Sequence, residues 1–245
     1  MTSDAFERAT TYPYAIPAQS YLFQAGRAHP IRAGDAVPDL DGRTPVLAVG
    51  SNQSPQQLAR KFPGSLWRGR EGEIPVIRCA LQDFDSVYSP HIASYGSIAA
   101  TLQHMPGVTV TLFVTWLTDK QLVRMHETEV TAANYGFGRL DGIRVRAEVG
   151  PDLESVYLYN SMRGTLCLEG HPIALSEVAA QGRSGPAMSQ TEVLHHVRRR
   201  LAPEHDLEAF VHHSVEDAAL RRARTEALNE GSKPFHHPRF TEIAI

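Results

Sequence analysis

Short apolar runs separated by turn signals dominate the pattern of hydrophobic and polar positions between residues 45 and 160. Runs rich in β-branched and aromatic residues predict strands, and they lie at 46–49, 76–84, 97–102, 108–116, 135–140, 143–149 and 155–159. Asp141-Gly142 precedes an alternating run and predicts a hairpin, while Pro106-Gly107 predicts another turn. Regular alternation of strand and helix is missing. The pattern therefore predicts an α+β fold with a small mixed sheet, partly closed into a β-barrel and flanked by helices.

Helix starts are marked by Ser or Thr followed three residues later by Gln, Glu or Asp, a spacing typical of a capping box. Such pairs are Ser54–Gln57, Thr118–Gln121, Ser189–Glu192 and Ser214–Asp217. They predict helices over 55–61, from 119, over 190–201 and over 215–231. Residues 1–44 are then an N-terminal extension packed on the core, with a short strand near 21–23. Residues 45–200 are the main domain, and 201–245 a helical C-terminal extension.

The connection between the first strand and the first helix is a candidate binding site. It consists of Val49, Gly50, Ser51, Asn52 and Gln53. Gly50 permits a tight turn and Asn52 tolerates a left-handed backbone, so consecutive N–H groups can point at one carboxylate or phosphate. A connection that binds nothing fits the same pattern. The phosphate-loop and dinucleotide fingerprints are missing from the sequence, so a nucleotide is not indicated.

A second candidate is the carboxylate of Glu129, on the helix that follows Thr118. Leu122, Met125 and Glu129 share one helix face, whereas Glu127 lies about 200° from Glu129 around the axis. If Leu122 and Met125 pack inward, Glu129 points into the interior or a cleft. Three states fit this position: the end of a frayed helix in water, the partner of an arginine, or a general acid/base whose pKa is raised by burial.

Composition excludes several classes of protein. A chain of 245 residues can bury a sizeable core. The net charge of −3 gives no general attraction for nucleic acid or an anionic membrane. No apolar run approaches the ~20 residues that span a bilayer, and no signal peptide is recognised. Cys79 and Cys167 do not make a disulfide framework, so a reducing cytoplasm is the expected location. The oligomeric state is not indicated.

Histidine and arginine clusters are interpreted as ordinary surface features. Adjacent histidines on a helix point about 100° apart and cannot share one metal ion, so no metal site is predicted. A zinc site built from distant histidines is left open. Arg198-Arg199-Arg200 is interpreted as a solvated helix face rather than as a nucleic-acid contact.

The ordered set of segments resembles the γ-glutamylcyclotransferase family. That family has a Tyr-Gly-Ser-Asn turn after its first strand, where this chain has Val49-Gly50-Ser51-Asn52. A catalytic glutamate follows a later helix in the family, and tyrosines lie in the next two strands; Glu129, Tyr135 and Tyr157 occupy those positions. The resemblance covers residues 45–200 in the same order, and its other segments are 81–84, 96–102, 106–107 and 179–194.

The resemblance implies an enzyme that cyclises the γ-glutamyl group of a small molecule to 5-oxoproline and releases an amine or amino acid, without a cofactor. It implies that Glu129 is the base and then the acid. Partial burial beside Leu122 and Met125 would keep the pKa of Glu129 nearer neutrality. Residues 49–53 would bind the substrate, and Tyr135 and Tyr157 would orient it, although core packing of the tyrosines fits equally well. Val49 lacks the hydroxyl and ring of the family tyrosine.

Two other classes of function fit the sequence. One is a hydrolase or acyltransferase with Ser51 as nucleophile, although a nucleophile elbow and a His/Asp partner are not identifiable. The other is a non-catalytic binding or interaction module on the same fold. The γ-glutamyl compound itself is not fixed, since glutathione, γ-glutamyl amino acids, γ-glutamyl amines and protected intermediates share the recognised group. Specificity is expected from the loops at 85–98 and 160–175 and from the extensions.

Overall fold

A computed structural model describes residues 2–32, 34–64, 67–130 and 134–245. The helices in these ranges are α1 (Thr2–Thr10), α2 (Pro55–Lys61), α3 (Asp119–Glu129), α4 (Gln190–Leu201), α5 (Leu207–Glu216) and α6 (Ala218–Leu228). The long strands are β3 (Thr44–Ala48), β4 (Glu73–Ile92), β5 (Ile98–Leu117), β6 (Tyr135–Ala147) and β7 (Leu153–Ser161). Shorter strands are β1 (Tyr21–Gln24), β2 (Arg27–Pro30), β8 (Cys167–Leu168), β9 (His171–Pro172), β10 (Ala174–Leu175), β11 (Ala180–Gln181), β12 (Ala187–Met188) and β13 (Phe240–Glu242).

The five long strands close into a barrel. They are hydrogen-bonded in the order β5-β3-β7-β6-β4, and β4 pairs again with β5. The sheet is mixed, because β3 is antiparallel to β5 and parallel to β7. The predicted α+β fold with a small mixed barrel and flanking helices is therefore confirmed.

The turn predicted at Pro106-Gly107 is wrong, because strand β5 continues through these two residues. Gly107 has a φ of +85° and lies in an irregular stretch of the pairing with β4, opposite Asp83. The Gly107 N–H donates to the Asp83 carboxylate at 2.8 Å. A bulge of this kind needs the same left-handed glycine as a reverse turn, so the dipeptide alone does not distinguish them.

The hairpin predicted at Asp141-Gly142 is also wrong, because one strand continues through these residues. β6 runs unbroken from Tyr135 to Ala147, and its register against β7 shifts between Asp141 and Val145. Gly142 has a φ of +58°, and its carbonyl accepts a hydrogen bond from Arg239 at 2.7 Å. The C-terminal strand β13 pairs with β6 just before this bulge, so a distant segment stabilises the extended course.

Both terminal segments join the barrel. β1, which contains the strand predicted near 21–23, pairs with β4. The single helix predicted over 215–231 is instead two helices, α5 and α6. Asp217 caps α6, whereas Ser214 lies inside α5 with its hydroxyl on the Phe210 carbonyl at 2.8 Å. The division into a core and two extensions stays a prediction.

The other three helix starts lie where the sequence places them. The capping boxes of α3 and α4, Thr118–Gln121 and Ser189–Glu192, are both formed. At α2 the Ser54 side chain accepts from the Gln56 N–H, and the Gln57 side chain faces Arg60 instead of closing a box. None of the described helices combines the length and apolarity needed to cross a membrane.

Helices α2 and α3 pack side by side on the barrel. Leu58 and Phe62 from the α2 region and Met125 from α3 belong to one buried cluster that also contains Val46 and Phe113. This shared packing fixes the ends of α2 and α3 next to each other. The turn that leaves β3 lies at the same place, and a pocket opens there.

Candidate active site

The pocket has a volume of about 350 Å³ and lies at the end of β3. Its walls come from the turn at 49–52, the ends of α2 and α3, strands β4 to β7, and helix α6. Elements far apart in the chain therefore meet at one cavity. The sequence candidates that line it are Val49, Gly50, Ser51, Asn52, Glu129 and Tyr135.

Gly50 is required here by space and not by a left-handed backbone. Its φ is −126°, outside the left-handed region. A Cβ at this position would overlap the Tyr12 hydroxyl and lie 2.8 Å from the Cβ of Ala100. Asn52 does not adopt the left-handed conformation that the sequence allowed, because Ser51–Gln53 forms a single 3₁₀ turn.

The 3₁₀ turn uses some of its own N–H groups. The Gln53 N–H donates to Gly50 at 3.2 Å and the Ser54 N–H donates to Ser51 at 2.9 Å. Among the described residues, the N–H groups of Ser51 and Asn52 have no acceptor. These two groups can hold an anion. Gln53 is fully buried behind the turn, and its side chain donates back to the carbonyls of Val49 and Gly50.

Glu129 faces the pocket as the helical spacing predicts. Its Oε1 accepts a hydrogen bond from Asn52 Nδ2 at 2.9 Å, and its carboxylate pairs with the Lys61 ammonium. The Glu129 side chain is 19% exposed and that of Lys61 6%. Glu127 points outward, where its half-exposed carboxylate pairs with Arg124. Of the three states that fit the sequence, Glu129 is therefore an ion-pair partner, but of a lysine rather than an arginine.

The raised pKa expected for Glu129 is wrong. Burial raises the pKa of this carboxyl, but the Lys61 charge and the hydrogen bonds from Lys61 and Asn52 outweigh it and lower the pKa below 4.5. Glu129 is therefore ionised at neutral pH. Lys61 was not predicted as a site residue from the sequence. Its position three residues after the buried Leu58 nevertheless places it on the packed face of α2.

Two tyrosines that line the pocket bond to the two peptide groups flanking Ala100. Tyr135 donates its hydroxyl proton to the Ala100 carbonyl at 2.8 Å. The Ala100 N–H donates to the Tyr12 hydroxyl oxygen at 2.9 Å. Burial raises the pKa of both tyrosines, so both hydroxyls stay protonated. Tyr12 comes from the N-terminal segment, in which the sequence indicated no chemistry.

Tyr157 does not line the pocket. Its ring stacks on Phe137 with centroids 5.5 Å apart, and Arg139 lies over it on the barrel surface. Tyr159, two residues further along the same face of β7, lines the pocket instead, and its hydroxyl bonds to His126 Nδ1 at 2.7 Å. Strand alternation puts both tyrosines on one face, so the sequence alone does not choose between them.

The other chemistries weighed from the sequence find no further support. The Ser51 hydroxyl makes no hydrogen bond to a histidine or carboxylate in the described ranges. Over the same ranges, no three His, Cys, Asp or Glu side chains are grouped to hold a metal ion. Cys79 and Cys167 are free thiols.

No family model matches this chain, and no curated protein sequence matches it. Six solved chains are similar in structure. One titled "Gamma-glutamyl cyclotransferase" is 18% identical with a TM-score of 0.39, over 49% of this chain and 67% of that one. An uncharacterized Homo sapiens protein is 18% identical with a TM-score of 0.40, over 50% and 68%. YkqA from Bacillus subtilis is 13% identical with a TM-score of 0.37, over 72% and 55%.

The TM-scores of these three neighbours are 0.40 or lower. Their identities and TM-scores say nothing about the reaction. The fold class itself rests on the hydrogen-bonded closure of β3 to β7.

Proposed function

We propose that this protein cyclises a γ-glutamyl group to 5-oxoproline and releases the attached amine, with Glu129 as base and then acid. The observation that carries the proposal is the ionised Glu129 carboxylate in the pocket, hydrogen-bonded to Asn52 of the turn after β3. A carboxylate and a set of backbone N–H groups side by side suit a substrate that carries an ammonium and a carboxylate on one carbon.

The α-ammonium of the γ-glutamyl group fits beside Glu129. Besides the carboxylate, the Oδ1 atom of Asn52 is buried there without a hydrogen-bond partner among the described residues. An ammonium held by the carboxylate would supply the donor that this oxygen lacks. The α-carboxylate of the same group fits the N–H groups of Ser51 and Asn52.

The reaction then needs two protons to be moved, because the α-nitrogen loses two on the way from ammonium to lactam N–H and the leaving nitrogen gains two to become an ammonium. Glu129 takes a proton from the α-ammonium, and the freed amine attacks the γ-carbonyl carbon to form the N–C bond of the five-membered ring. The tetrahedral intermediate breaks its bond to the leaving nitrogen, which receives the first proton from Glu129. The second proton of the ring nitrogen then passes through the same carboxylate to the released amine. All reacting atoms of the substrate are in one molecule, so orientation and proton transfer supply most of the rate.

Lys61 makes an ionised Glu129 effective as a base. A base with a low pKa is weak, but the ammonium of Lys61 also repels the substrate ammonium held by the same carboxylate. This repulsion lowers the pKa of the substrate ammonium and favours the neutral amine, which is the nucleophile. Lys61 thus acts through the charges of Glu129 and the substrate.

Tyr12 is placed to stabilise the oxyanion. Its hydroxyl oxygen accepts from Ala100, and within the described ranges its own proton has no acceptor, so the proton is free to be donated into the pocket. A hydroxyl at this wall suits the oxygen of the γ-carbonyl as it becomes negative. Val49, which lines the pocket, has no polar side-chain group to do the same.

The proposal is tested by incubating the protein with glutathione, γ-glutamyl dipeptides and γ-glutamyl amines and measuring 5-oxoproline. We expect 5-oxoproline and the free amine in equal amounts from at least one compound. Glutamate in place of 5-oxoproline would indicate hydrolysis and contradict cyclisation. Thermal stabilisation by a compound that is never turned over would instead identify a binding module.

A further inference from the structure

The turn after β3 is held from behind by one buried side chain, that of Gln53. This residue ends the 3₁₀ turn but does not line the pocket, and it is 0% exposed. Its Nε2 atom donates to the carbonyls of Val49 and Gly50, at 3.2 Å each. All the hydrogen bonds that this side chain makes within the described ranges therefore go to the turn itself.

The amide of Gln53 is not needed to fill space. A methionine has nearly the same length and would pack in the same interior without a polar group. The Oε1 atom of Gln53 is buried and has no hydrogen-bond partner among the described residues, which destabilises the fold. A buried polar group with such a cost calls for a role beyond packing.

The carbonyl of Gly50 and the N–H of Ser51 belong to one planar trans peptide group, in which they point in opposite directions. This carbonyl accepts from the backbone N–H of Gln53 as well as from its side chain, at 3.2 Å each. The Ser51 N–H therefore points away from the buried amide. Hydrogen bonds to a carbonyl also polarise the peptide group, so its N–H becomes a stronger donor.

The neighbouring N–H group, that of Asn52, is fixed in the same way. The Ser51 carbonyl, which shares its peptide group with this N–H, accepts from the Ser54 N–H at 2.9 Å. The Ser54 N–H in turn shares a peptide group with the Gln53 carbonyl, which accepts from the Tyr21 hydroxyl at 2.8 Å. Tyr21 lies on β1 and is 1% exposed. Buried side chains thus orient both N–H groups from the side away from the pocket.

We propose that Gln53 is a positioning residue, which holds the Ser51 N–H in the direction that binds the α-carboxylate of the γ-glutamyl group. The identity of this anion rests on the proposed function. N–H groups that are already oriented bind an anion more tightly than those of a mobile turn, because less conformational freedom is lost on binding. Gln53 acts through the Gly50 carbonyl, so its loss should weaken binding of the α-carboxylate alone.

A pair of ligands that differ only in the α-carboxylate tests the inference. L-Glutamate has this group and 4-aminobutyrate lacks it, and the rest of the two molecules is identical. Neither carries an amine that the reaction could release, so Kd can be measured by NMR titration of the unmodified protein with Glu129 in place. We expect glutamate to bind at least about tenfold more tightly, as for hydrogen bonds to a charged group.

Gln53→Met should lower this preference by about three- to tenfold, as for the loss of a hydrogen bond, and leave the Kd of 4-aminobutyrate unchanged. Gln121→Met is the matched control. Gln121 is also 0% exposed and donates to two backbone carbonyls, those of Glu71 and Glu73, but it lies outside the pocket wall. The control should lose stability and keep the preference.

Tyr21→Phe is a second variant, for the case that Gln53→Met does not fold. It keeps the ring and removes only the oxygen that holds the Gln53 carbonyl, so it should lower the preference to a smaller extent. Kinetics add an independent readout, since a positioning role for the anion raises KM for γ-glutamyl substrates more than it lowers kcat.

Equal Kd values for glutamate and 4-aminobutyrate in the unmodified protein, or no binding of glutamate, would overturn the inference. A folded Gln53→Met protein that keeps the preference would also overturn it, as would one that loses affinity for both ligands equally. If only Tyr21→Phe folds, an unchanged preference in that variant has the same consequence. The proposed function fails separately, by the lack of 5-oxoproline from every γ-glutamyl compound with the unmodified protein.

Discussion

The ammonium of Lys61 at the end of α2 and the carboxylate of Glu129 at the end of α3 form an ion pair inside the pocket, with only a small part of either side chain exposed. The pair joins two helix ends that pack on the same side of the barrel. It also sets the charge of the proposed base, because Lys61 lowers the pKa of Glu129.

Replacing Lys61 by Met should move the acid limb of the kcat/KM profile to higher pH. The unmodified Glu129 titrates below 4.5, and without Lys61 only the burial that raises its pKa and the Asn52 hydrogen bond remain. The pH dependence of kcat/KM for 5-oxoproline release measures the shift. Lys61→Arg keeps the charge and should keep the limb at low pH; an unshifted limb in Lys61→Met would contradict the role of the pair.

Lys61→Met should also reverse the contribution of Glu129 to the pH dependence of the free energy of unfolding. In the unmodified protein the lowered pKa of Glu129 stabilises the fold above about pH 4.5, and this is lost as the pH falls through the folded-state pKa. In Lys61→Met the buried carboxylate is unpaired at pH 7, at a cost of about 3 kcal/mol. We expect this cost to shrink as the pH falls through the raised folded-state pKa of the unpaired carboxyl and to be gone below about pH 4.5, as measured by urea unfolding at pH 4 and pH 7.

Gly50→Ala should destabilise the protein by about 1–3 kcal/mol, because the new methyl group meets the Tyr12 hydroxyl and Ala100. Tyr12→Phe removes the overlapping oxygen, so Gly50→Ala should cost less in the Tyr12→Phe background. A double-mutant cycle by urea unfolding measures the difference. Gly185→Ala, whose Cβ would have only one neighbour at 3.8 Å, is the control. If the losses in unfolding free energy from Gly50→Ala and Tyr12→Phe simply add, the close approach of Gly50 to the Tyr12 hydroxyl is contradicted.

Arg183→Met should destabilise the fold by about 3–5 kcal/mol, because it leaves the buried Asp85 carboxylate unpaired. Arg183 donates to both oxygens of Asp85 at 2.7 Å, and the Asp85 side chain is 1% exposed. Arg78→Met breaks a more exposed pair with Glu148, at 3.5 Å, and should cost less than about 1 kcal/mol. Equal costs in chemical unfolding would show that burial does not decide the effect.

The features that follow from local rules were predictable. The Thr118–Gln121 capping box fixes where α3 begins, and the 100° rotation per residue then fixes that Glu129 faces inward and Glu127 outward. Both follow from a dozen consecutive residues. The barrel class followed from strand density, although the strands themselves are longer than their apolar runs.

What the sequence did not reveal depends on residues far apart in the chain. Gly107 and Gly142 have the left-handed backbone that the turn signals predict, but the neighbouring strands turn each into a bulge. The partner of Glu129 is 68 positions away, and Tyr12 reaches Ala100 across 88 positions. No local pattern encodes such contacts, so neither the lysine nor the hydroxyl could be assigned to the site.

The most direct test of the central claim compares Glu129→Gln with Glu127→Gln in single-turnover release of 5-oxoproline from the best γ-glutamyl substrate. Both changes remove one carboxylate from the same turn of α3, but only Glu129 faces the pocket. We expect Glu129→Gln to lower the rate by about 10²–10⁴-fold, as for loss of a general acid/base, and Glu127→Gln to leave it unchanged. A folded Glu129→Gln protein that releases 5-oxoproline at the unmodified rate would contradict the account.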